Sequence, residues 1–343
     1  MQMNEKGIAL PQAARLLCAA LLALGTLPAP AAQPRDVQTI LSAVVGVRSE
    51  VPQEARTAGT LGIRRSGSGV VIDATGLILT TGYLILEAAR VYVTPRQERA
   101  AEVPAEILAY DHDSGFGLLR ATQALAVTPM PLGDSDAFVQ GATLIAASHG
   151  GAAAVQPAVL VSRREFTGYW EYLLENALFT APPHPLFGGA ALIDPGGALV
   201  GIGSLIVPDA AYGETLIPGN MFIPINRLKP ILGALLSTGR GPGPARPWLG
   251  IHSQDLAGRV VIRRVTEHSP AAQAGVPVGG VIVAVAGAPV TGTADFYRKL
   301  WASARPGDVV TLSLLTTDGG QRDLTVTAGD RYQWLMLPPR GAR

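Results

Sequence analysis

The stretch His184–Ala190, with the sequence HPLFGGA, decides the fold of this chain. An apolar run follows it at Ala191–Ile193, and the turn Asp194–Gly197 separates that run from a second one, Ala198–Ile202. Apolar runs divided by a Pro-Gly-Gly turn are typical of two strands joined by a tight connection. The stretch is therefore predicted to be a loop that leads into a β-hairpin.

Composition sets the frame around this stretch. The chain has 343 residues, which favours two domains plus tails. A formal net charge of +1 gives no reason to expect nucleic acid or an anionic membrane surface as a partner. Charged residues make up only 15%, while 40 Gly and 27 Pro favour a β-rich protein with many turns. Cys18 has no second cysteine with which to form an internal disulfide, and no cofactor is expected.

Residues 1–32 have the features of a secretory signal peptide. Lys6 and Arg15 precede the apolar run Leu16–Leu27, and small residues follow up to Ala32. The run is short for a membrane span, although an uncleaved anchor is the alternative. Cleavage near Ala32 places the mature protein in the periplasm or outside the cell, without a stable membrane span.

Short strand-like runs at regular intervals predict a β-sandwich or β-barrel for residues 33–237. The predicted strands are 67–73, 77–81, 91–94, 102–108, 117–120, 143–147 and 158–161. A short helix leading into a strand is expected at Val37–Val47, and helical periodicity near Ile225–Leu236.

A Gly/Pro linker at 238–247 separates this domain from a second one, at 248–328. The second domain is predicted to contain strands and two helices, at Ala271–Ala274 and Ala294–Ser303. The tail, 329–343, shows no clear periodicity.

The stretch at His184–Ala190 resembles the nucleophile loop of trypsin-like serine proteases, which has the form Gly-x-Ser-Gly-Gly-Pro. The following turn and strand resemble the HtrA/Deg branch of that family in particular. The segments Gly67–Gly69 and Leu132–Ser135 also match the family, and the resemblance extends from about Val37 to Val326. It implies a trypsin-like double β-barrel, mainly β in class. It also implies a homotrimer as one assembly, since the family often forms trimers.

The resemblance places three catalytic positions, and each holds an unsuitable residue. Tyr83 stands where the family has its histidine, in the segment GLILTTGYL. Gly115 stands where the aspartate opens its strand, in GFGLLR, and Phe187 takes the place of the serine. Pro185 replaces the first glycine of the loop. No catalytic residue is therefore predicted.

Elementary chemistry agrees with this interpretation. The Phe187 side chain has no nucleophilic atom, and tyrosine, with an ordinary pKa of about 10, is a poor base near neutral pH. Gly115 cannot orient a base through a side chain. Pro185 lacks the N–H that would serve the oxyanion hole, and losing one such donor costs about 10²–10³ in rate.

The second domain resembles a PDZ domain. Trp248–Ile251 has the form of the carboxylate-binding loop, and Ser269–Val276 carries the pattern SPAAQAGV. PDZ domains bind an extended peptide beside a strand and hold its terminal carboxylate with loop N–H groups. The residues expected to bind a peptide are Trp248, Leu249, Gly250, Ile251, Phe296 and Leu300. A stiff linker is expected to leave the groove free for a partner; the alternative is a domain that only packs on the first one.

These observations favour a catalytically inactive HtrA/Deg-like protein of the cell envelope. It would bind peptides or protein carboxyl termini as a scaffold, chaperone or assembly factor. One alternative is an active serine endopeptidase in periplasmic protein quality control. A second is a metal-binding protein that uses Asp111, His112 and Asp113, although these residues are expected in a solvated turn. His184 is expected on the surface of its loop.

Overall fold

The computed structural model describes residues 36–95, 101–150, 154–213, 215–316 and 319–338. The predicted signal peptide, 1–32, lies outside these residues. Within them, no helix is long and apolar enough to cross a membrane.

Six antiparallel strands close the first barrel in the order β1-β2-β3-β6-β5-β4. The strands are β1 (Val44–Glu50), β2 (Arg64–Val71), β3 (Leu77–Thr81), β4 (Arg90–Thr94), β5 (Val103–Tyr110) and β6 (Phe116–Ala121). Two short helices, α1 (Val37–Ser42) and α2 (Ala58–Leu61), and a 3-10 turn at Gly82–Leu84 accompany them. All five residues of β3 are buried, so this strand lies at the centre of the domain.

The second barrel repeats the six-stranded plan, in the order β10-β11-β12-β9-β8-β7. Its strands are β7 (Thr143–Ala147), β8 (Val155–Gly168), β9 (Tyr172–Ala181), β10 (Ala191–Ile193), β11 (Leu199–Tyr212) and β12 (Leu216–Pro224). A 3-10 turn at Ser135–Ala137 precedes the barrel, and another at Ile225–Arg227 follows it. Helix α3 (Leu232–Thr238) then ends at Gly239 in the left-handed conformation.

The PDZ-like domain contains a six-stranded sheet and two helices. The sheet is formed by β14 (Ile251–Leu256), β15 (Arg259–Val265), β16 (Val281–Val285), β17 (Ala288–Pro289), β18 (Val309–Leu315) and β19 (Gln321–Thr327). Its helices are α4 (Pro270–Gln273) and α5 (Thr293–Ser303). Strand β14 forms one edge of the sheet, which is the position where a peptide strand can be added.

The segments predicted as linker and tail both make specific contacts. In the linker, Arg246 lies 3.1 Å from the Asp113 carboxylate, and Gly241 N–H donates to Asp111 at 3.3 Å. In the tail, β20 (Gly329–Asp330) pairs with β13 (Pro247–Trp248), and α6 (Arg331–Trp334) follows. The chain between the two domains is thus fixed against the first domain rather than free.

The mainly β fold class is confirmed, with two six-stranded barrels followed by a PDZ-like domain. The helices expected near residues 37, 225–236, 271–274 and 294–303 are all present. Strand β8 was predicted only in part, and β9 and β12 were not predicted. Strands β8 and β9 form a long hairpin whose three-residue tip, 169–171, reaches the PDZ domain.

Candidate functional site

The nucleophile-type loop lies where the two barrels meet, and its two glycines are required there. The Gly188 carbonyl accepts from Ser68 N–H on β2, and Gly189 N–H donates to the Gly203 carbonyl on β11, each at 2.8 Å. Gly189 has φ +74°, and a Cβ placed there would lie 1.8 Å from the Ser68 carbonyl oxygen. Only glycine fits this approach of loop and strand. The Gly-Gly pair therefore serves packing, whatever residue precedes it.

The positions of the predicted triad come together between the barrels. Gly82 N–H donates to the Gly115 carbonyl at 2.8 Å, which places these two segments side by side. The Tyr83 hydroxyl lies 2.9 Å from the point where a Cβ on Gly188 would stand. That hydroxyl donates to the Ser204 carbonyl at 3.0 Å. The segments that contain Tyr83, Gly115 and Gly188 are thus neighbours in the structure.

None of these groups can act as a general base or nucleophile. Burial raises the pKa of Tyr83 far above its ordinary value, so the phenol stays protonated. At Gly115, φ is +84° and an added Cβ would lie 2.8 Å from the Tyr172 hydroxyl. The site therefore has little room for a side chain that would orient a base. Pro185 is exposed and has no N–H to donate.

A buried Ser–His pair lies behind the loop. The Ser148 hydroxyl oxygen is 2.8 Å from His184 Nε2 and 2.5 Å from the Leu186 carbonyl oxygen. His184 is only 1% exposed, so the expectation of a surface position was wrong. Its backbone N–H donates to Asn220 Oδ1 at 2.6 Å, which fixes it inside the second barrel.

The two hydrogen bonds of Ser148 described above are not those of a serine activated by a base. A carbonyl oxygen only accepts, so the single hydroxyl proton of Ser148 points to Leu186. His184 must then donate from Nε2, and a protonated nitrogen cannot remove the serine proton. Burial lowers the pKa of His184, which keeps the ring neutral. The pair holds the loop in place.

The segment Asp111–Asp113 is a packed junction and not the solvated turn expected. His112 Nε2 donates to the Glu171 carbonyl, and the Tyr110 hydroxyl donates to His112 Nδ1, both at 3.0 Å. The backbone N–H of His112 donates to the Tyr332 hydroxyl, also at 3.0 Å. Both ring nitrogens are thus in use. In the part of the chain that the structure describes, no group of three or more His, Cys, Asp or Glu is arranged to hold a metal ion.

This junction predicts a loss of stability in acid. Burial lowers the pKa of His112 well below its ordinary value, and Arg331 and Arg246 add to the effect. The unfolded chain takes up a proton below a pH of about 6.5 that the folded chain excludes, so the stability His112 provides is present above that pH and lost below it. The expected contribution is about 1.4 kcal/mol per pH unit. His112→Gln should flatten the fall in melting temperature between pH 6.5 and 5.

The exposed His268 provides the matched control for this prediction. Thermal melts of wild type, His112→Gln and His268→Gln are recorded at several pH values. The quantity compared is the slope of melting temperature against pH, because the glutamine also changes the melting temperature by a pH-independent amount. Equal slopes for all three proteins would contradict the assignment.

The carboxylate-binding loop of the PDZ domain already holds a carboxylate. Gly250 and Ile251 N–H groups donate to Glu171 Oε1 at 2.7 and 2.8 Å, and Leu249 N–H donates to Oε2 at 3.1 Å. Gly250 has φ +83°, and a Cβ there would lie 2.2 Å from Ser269 Cβ, so the loop needs its glycine. The expectation of a free groove was wrong, because a side chain of the second barrel occupies it.

The other predicted peptide-binding residues surround this contact. Leu249, Ile251, Phe296 and Leu300 share one buried apolar cluster, and Leu173 of β9 packs into it from the barrel. Trp248 is 4% exposed, and its ring lies 4.7 Å from that of Trp334 in α6.

Sequence reasoning missed the hairpin tip that makes these contacts. The tip, Tyr169–Glu171, follows Gly168 and precedes an apolar run that begins at Tyr172, and a glycine before an apolar run marks a turn. That pattern was the available signal for a turn. Nothing in it indicated that Glu171 would enter another domain.

Comparison with known proteins agrees with this architecture. The profile of the trypsin-like peptidase domain matches residues 67–202, and that of the PDZ domain matches 247–327. The two matched regions follow each other along the chain as the barrels and the PDZ-like domain do.

The curated proteins most relevant for comparison are named as serine proteases. Serine protease PepD of Mycobacterium tuberculosis is 28% identical over 330 residues, covering 90% of this chain and 69% of the relative. Serine endoprotease DegS of Salmonella typhimurium is 26% identical over 84% of this chain and 83% of its own length. The periplasmic pH-dependent serine endoprotease DegQ of Escherichia coli is 26% identical, and the match spans only 56% of its length.

A solved structure gives the same fold. The HtrA-type protease AlgW with decapeptide superposes with a TM-score of 0.51 at 20% identity, covering 88% of this chain and 98% of that one. At this identity the likeness concerns the fold. The relatives that the chain resembles are thus named as serine proteases, and one of those above is named as periplasmic.

Proposed function

We propose that this chain binds peptides or partner proteins through its PDZ domain, at the cell envelope, without cutting them. The observation that carries the proposal is Phe187 at the nucleophile position, with Tyr83 and Gly115 beside it. A scaffold, chaperone or assembly factor needs the barrels as a rigid support and the PDZ groove as a binding site, and it needs no nucleophile. Peptides with a free carboxyl terminus are the ligand class suited to the loop at Trp248–Ile251.

The second candidate function is an active serine endopeptidase of periplasmic protein quality control. The names of the relatives favour it, since PepD, DegS and DegQ are all called serine proteases. It requires a nucleophile and a base other than those the family uses. The buried Ser148–His184 pair is the nearest candidate, and its hydrogen bonds point the proton away from the histidine.

Hydrolysis of an unfolded substrate separates the two functions. Purified full-length protein, incubated with fluorescently labelled casein at pH 6 to 8, is expected to give no fragments above the buffer blank. A Ser148→Ala variant provides the control, because it removes the hydroxyl that contacts His184 behind the loop. Cleavage by wild type that is lost in Ser148→Ala would establish the second function instead.

A further inference from the structure

The hairpin between β8 and β9 presents three groups to the PDZ groove. The Tyr169 carbonyl accepts from Ser253 N–H on the edge strand β14 at 3.0 Å. The Glu171 carboxylate takes the three loop N–H groups, at 2.7 to 3.1 Å. Leu173 enters the apolar cluster beside the loop. A main-chain hydrogen bond to the edge strand, a bound carboxylate and an apolar anchor are interactions that a PDZ peptide ligand also makes.

Further contacts hold the hairpin in this position. The Tyr297 hydroxyl, on α5, donates to the Gly168 carbonyl at 2.9 Å and accepts from Glu171 N–H at 3.1 Å. Arg331 of α6 donates to the Trp170 carbonyl at 2.8 Å. Residues at the border of the groove thus form hydrogen bonds with the backbone of Gly168, Trp170 and Glu171.

Glu171 is buried and has an unusual backbone conformation. Its φ is +56°, a left-handed backbone that glutamate rarely adopts, and the residue is only 2% exposed. Burial raises the pKa of its carboxyl, while Arg331 and the three N–H donors act in the opposite direction. Hydrogen bonds to a charged carboxylate are stronger than neutral ones, so the ionised side chain gains most from the loop.

We propose that the tip Tyr169–Glu171 is a built-in ligand of the PDZ groove, and that a free peptide carboxylate binds only by displacing Glu171. The inference rests on the peptide binding proposed above and adds its regulation. The two carboxylates need the same three N–H groups and cannot share them. Apparent affinity for a peptide is reduced by the fraction of molecules in which the hairpin is docked.

The groove beyond the hairpin remains open to a first contact. A cavity of about 680 Å³ lies between β14 and the start of α5, next to Tyr169. Gln254, Asp255, Thr291 and Arg298 are among the residues that line it. The upstream residues of a peptide can occupy this space before its carboxylate competes with Glu171. Because Leu173 provides the apolar contact beside the loop, the suited ligand is an extended peptide with a free carboxyl terminus and an apolar last residue.

The test measures peptide binding to the full-length chain. The probe is a fluorescein-labelled random heptapeptide pool with an apolar last residue and a free carboxylate, and its amidated copy is the control pool. Glu171→Gln keeps the shape of the side chain but removes its charge. By fluorescence anisotropy it is expected to bind the free-carboxylate pool at least tenfold more tightly than wild type. Glu175→Gln, an exposed change on the same hairpin, should stay within twofold of wild type.

A second measurement does not need the right peptide. Hydrogen exchange of the Leu249, Gly250 and Ile251 amides reports on the loop donors in the protein without peptide. Exchange is expected to be at least tenfold faster in Glu171→Gln than in wild type or Glu175→Gln. Tyr297→Phe, which removes both hydroxyl contacts to the hairpin, should shift exchange and binding in the same direction by a smaller factor.

Equal affinities and equal exchange rates in wild type and Glu171→Gln would overturn the built-in ligand and leave peptide binding in place. Absence of binding by a folded Glu171→Gln protein would overturn both the displacement mechanism and the peptide-binding role of the groove. Cleavage of casein would contradict the proposed function and has no bearing on the exchange of the loop amides.

Discussion

Restoring the serine alone is expected to give no protease. Phe187→Ser supplies a hydroxyl, but the nearest residue in the position of the base is Tyr83, whose hydroxyl donates to the Ser204 carbonyl. An unactivated serine is a poor nucleophile, and the loop still lacks the N–H that Pro185 cannot provide. Casein hydrolysis by Phe187→Ser should remain at the blank, at least about 10⁴-fold below the rate of an intact triad.

Adding the remaining residues is expected to fail as well, for a structural reason at position 115. In the combination Tyr83→His, Gly115→Asp, Pro185→Gly and Phe187→Ser, the aspartate must adopt φ +84° with its Cβ 2.8 Å from the Tyr172 hydroxyl. Tyr172 is buried and donates to the Ser114 carbonyl, so it has little freedom to move aside. The new carboxylate would be strained, and the new histidine would be poorly oriented.

The matched control is the same combination with Gly115 kept. We expect equal, blank-level hydrolysis from both variants and a lower melting temperature for the variant that contains Gly115→Asp. Activity in the single variant Phe187→Ser would show that a base exists elsewhere and would contradict this account of the site.

Gly189→Ala is expected to cause the largest loss of stability of any substitution in the loop. The alanine Cβ would lie 1.8 Å from the Ser68 carbonyl oxygen and 2.7 Å from the Thr80 hydroxyl, at a backbone φ of +74°. The first contact is with the backbone of a buried strand, so relief requires the barrels to shift. We expect the free energy of unfolding to fall by about 4 kcal/mol or more, a loss that few single substitutions cause.

Thermal melts followed by circular dichroism measure this effect. Gly233→Ala, in α3, is the control, because nothing lies within 4 Å of its added Cβ. Gly233→Ala should leave the free energy of unfolding unchanged or raise it by up to about 1 kcal/mol. A Gly189→Ala protein that melts within 2 °C of wild type, a shift equivalent to about 1 kcal/mol or less, would show that the loop is not packed as described.

The fold was largely predictable because its signals are local. The turn at Asp194–Gly197 and the alternation of apolar runs with turn residues suffice to predict most of the barrel strands, although not β9 and β12. The carboxylate loop at Trp248–Ile251 was also recognisable, since its glycine and flanking apolar residues stand together in the sequence. Its three N–H donors do bind a carboxylate in the structure.

What could not be predicted depends on contacts between distant residues. Glu171 and Gly250 lie 79 positions apart, and no local pattern connects them. The buried pair Ser148 and His184 is likewise separated by 36 positions, and no local pattern connects the two residues. The sequence therefore suggested a surface position for His184. The catalytic positions were accessible only by resemblance, because Tyr83, Gly115 and Phe187 carry no functional signature of their own.

The most direct test of the central claim, that the protease scaffold has no working nucleophile, is labelling with a fluorophosphonate probe. Pure full-length protein is incubated with the probe, native and heat-denatured, and its intact mass is followed with time. The account predicts no mass increase in either sample over several hours, at any pH from 6 to 8. A time-dependent addition of one probe to a serine of the native protein, lost on denaturation, would contradict it.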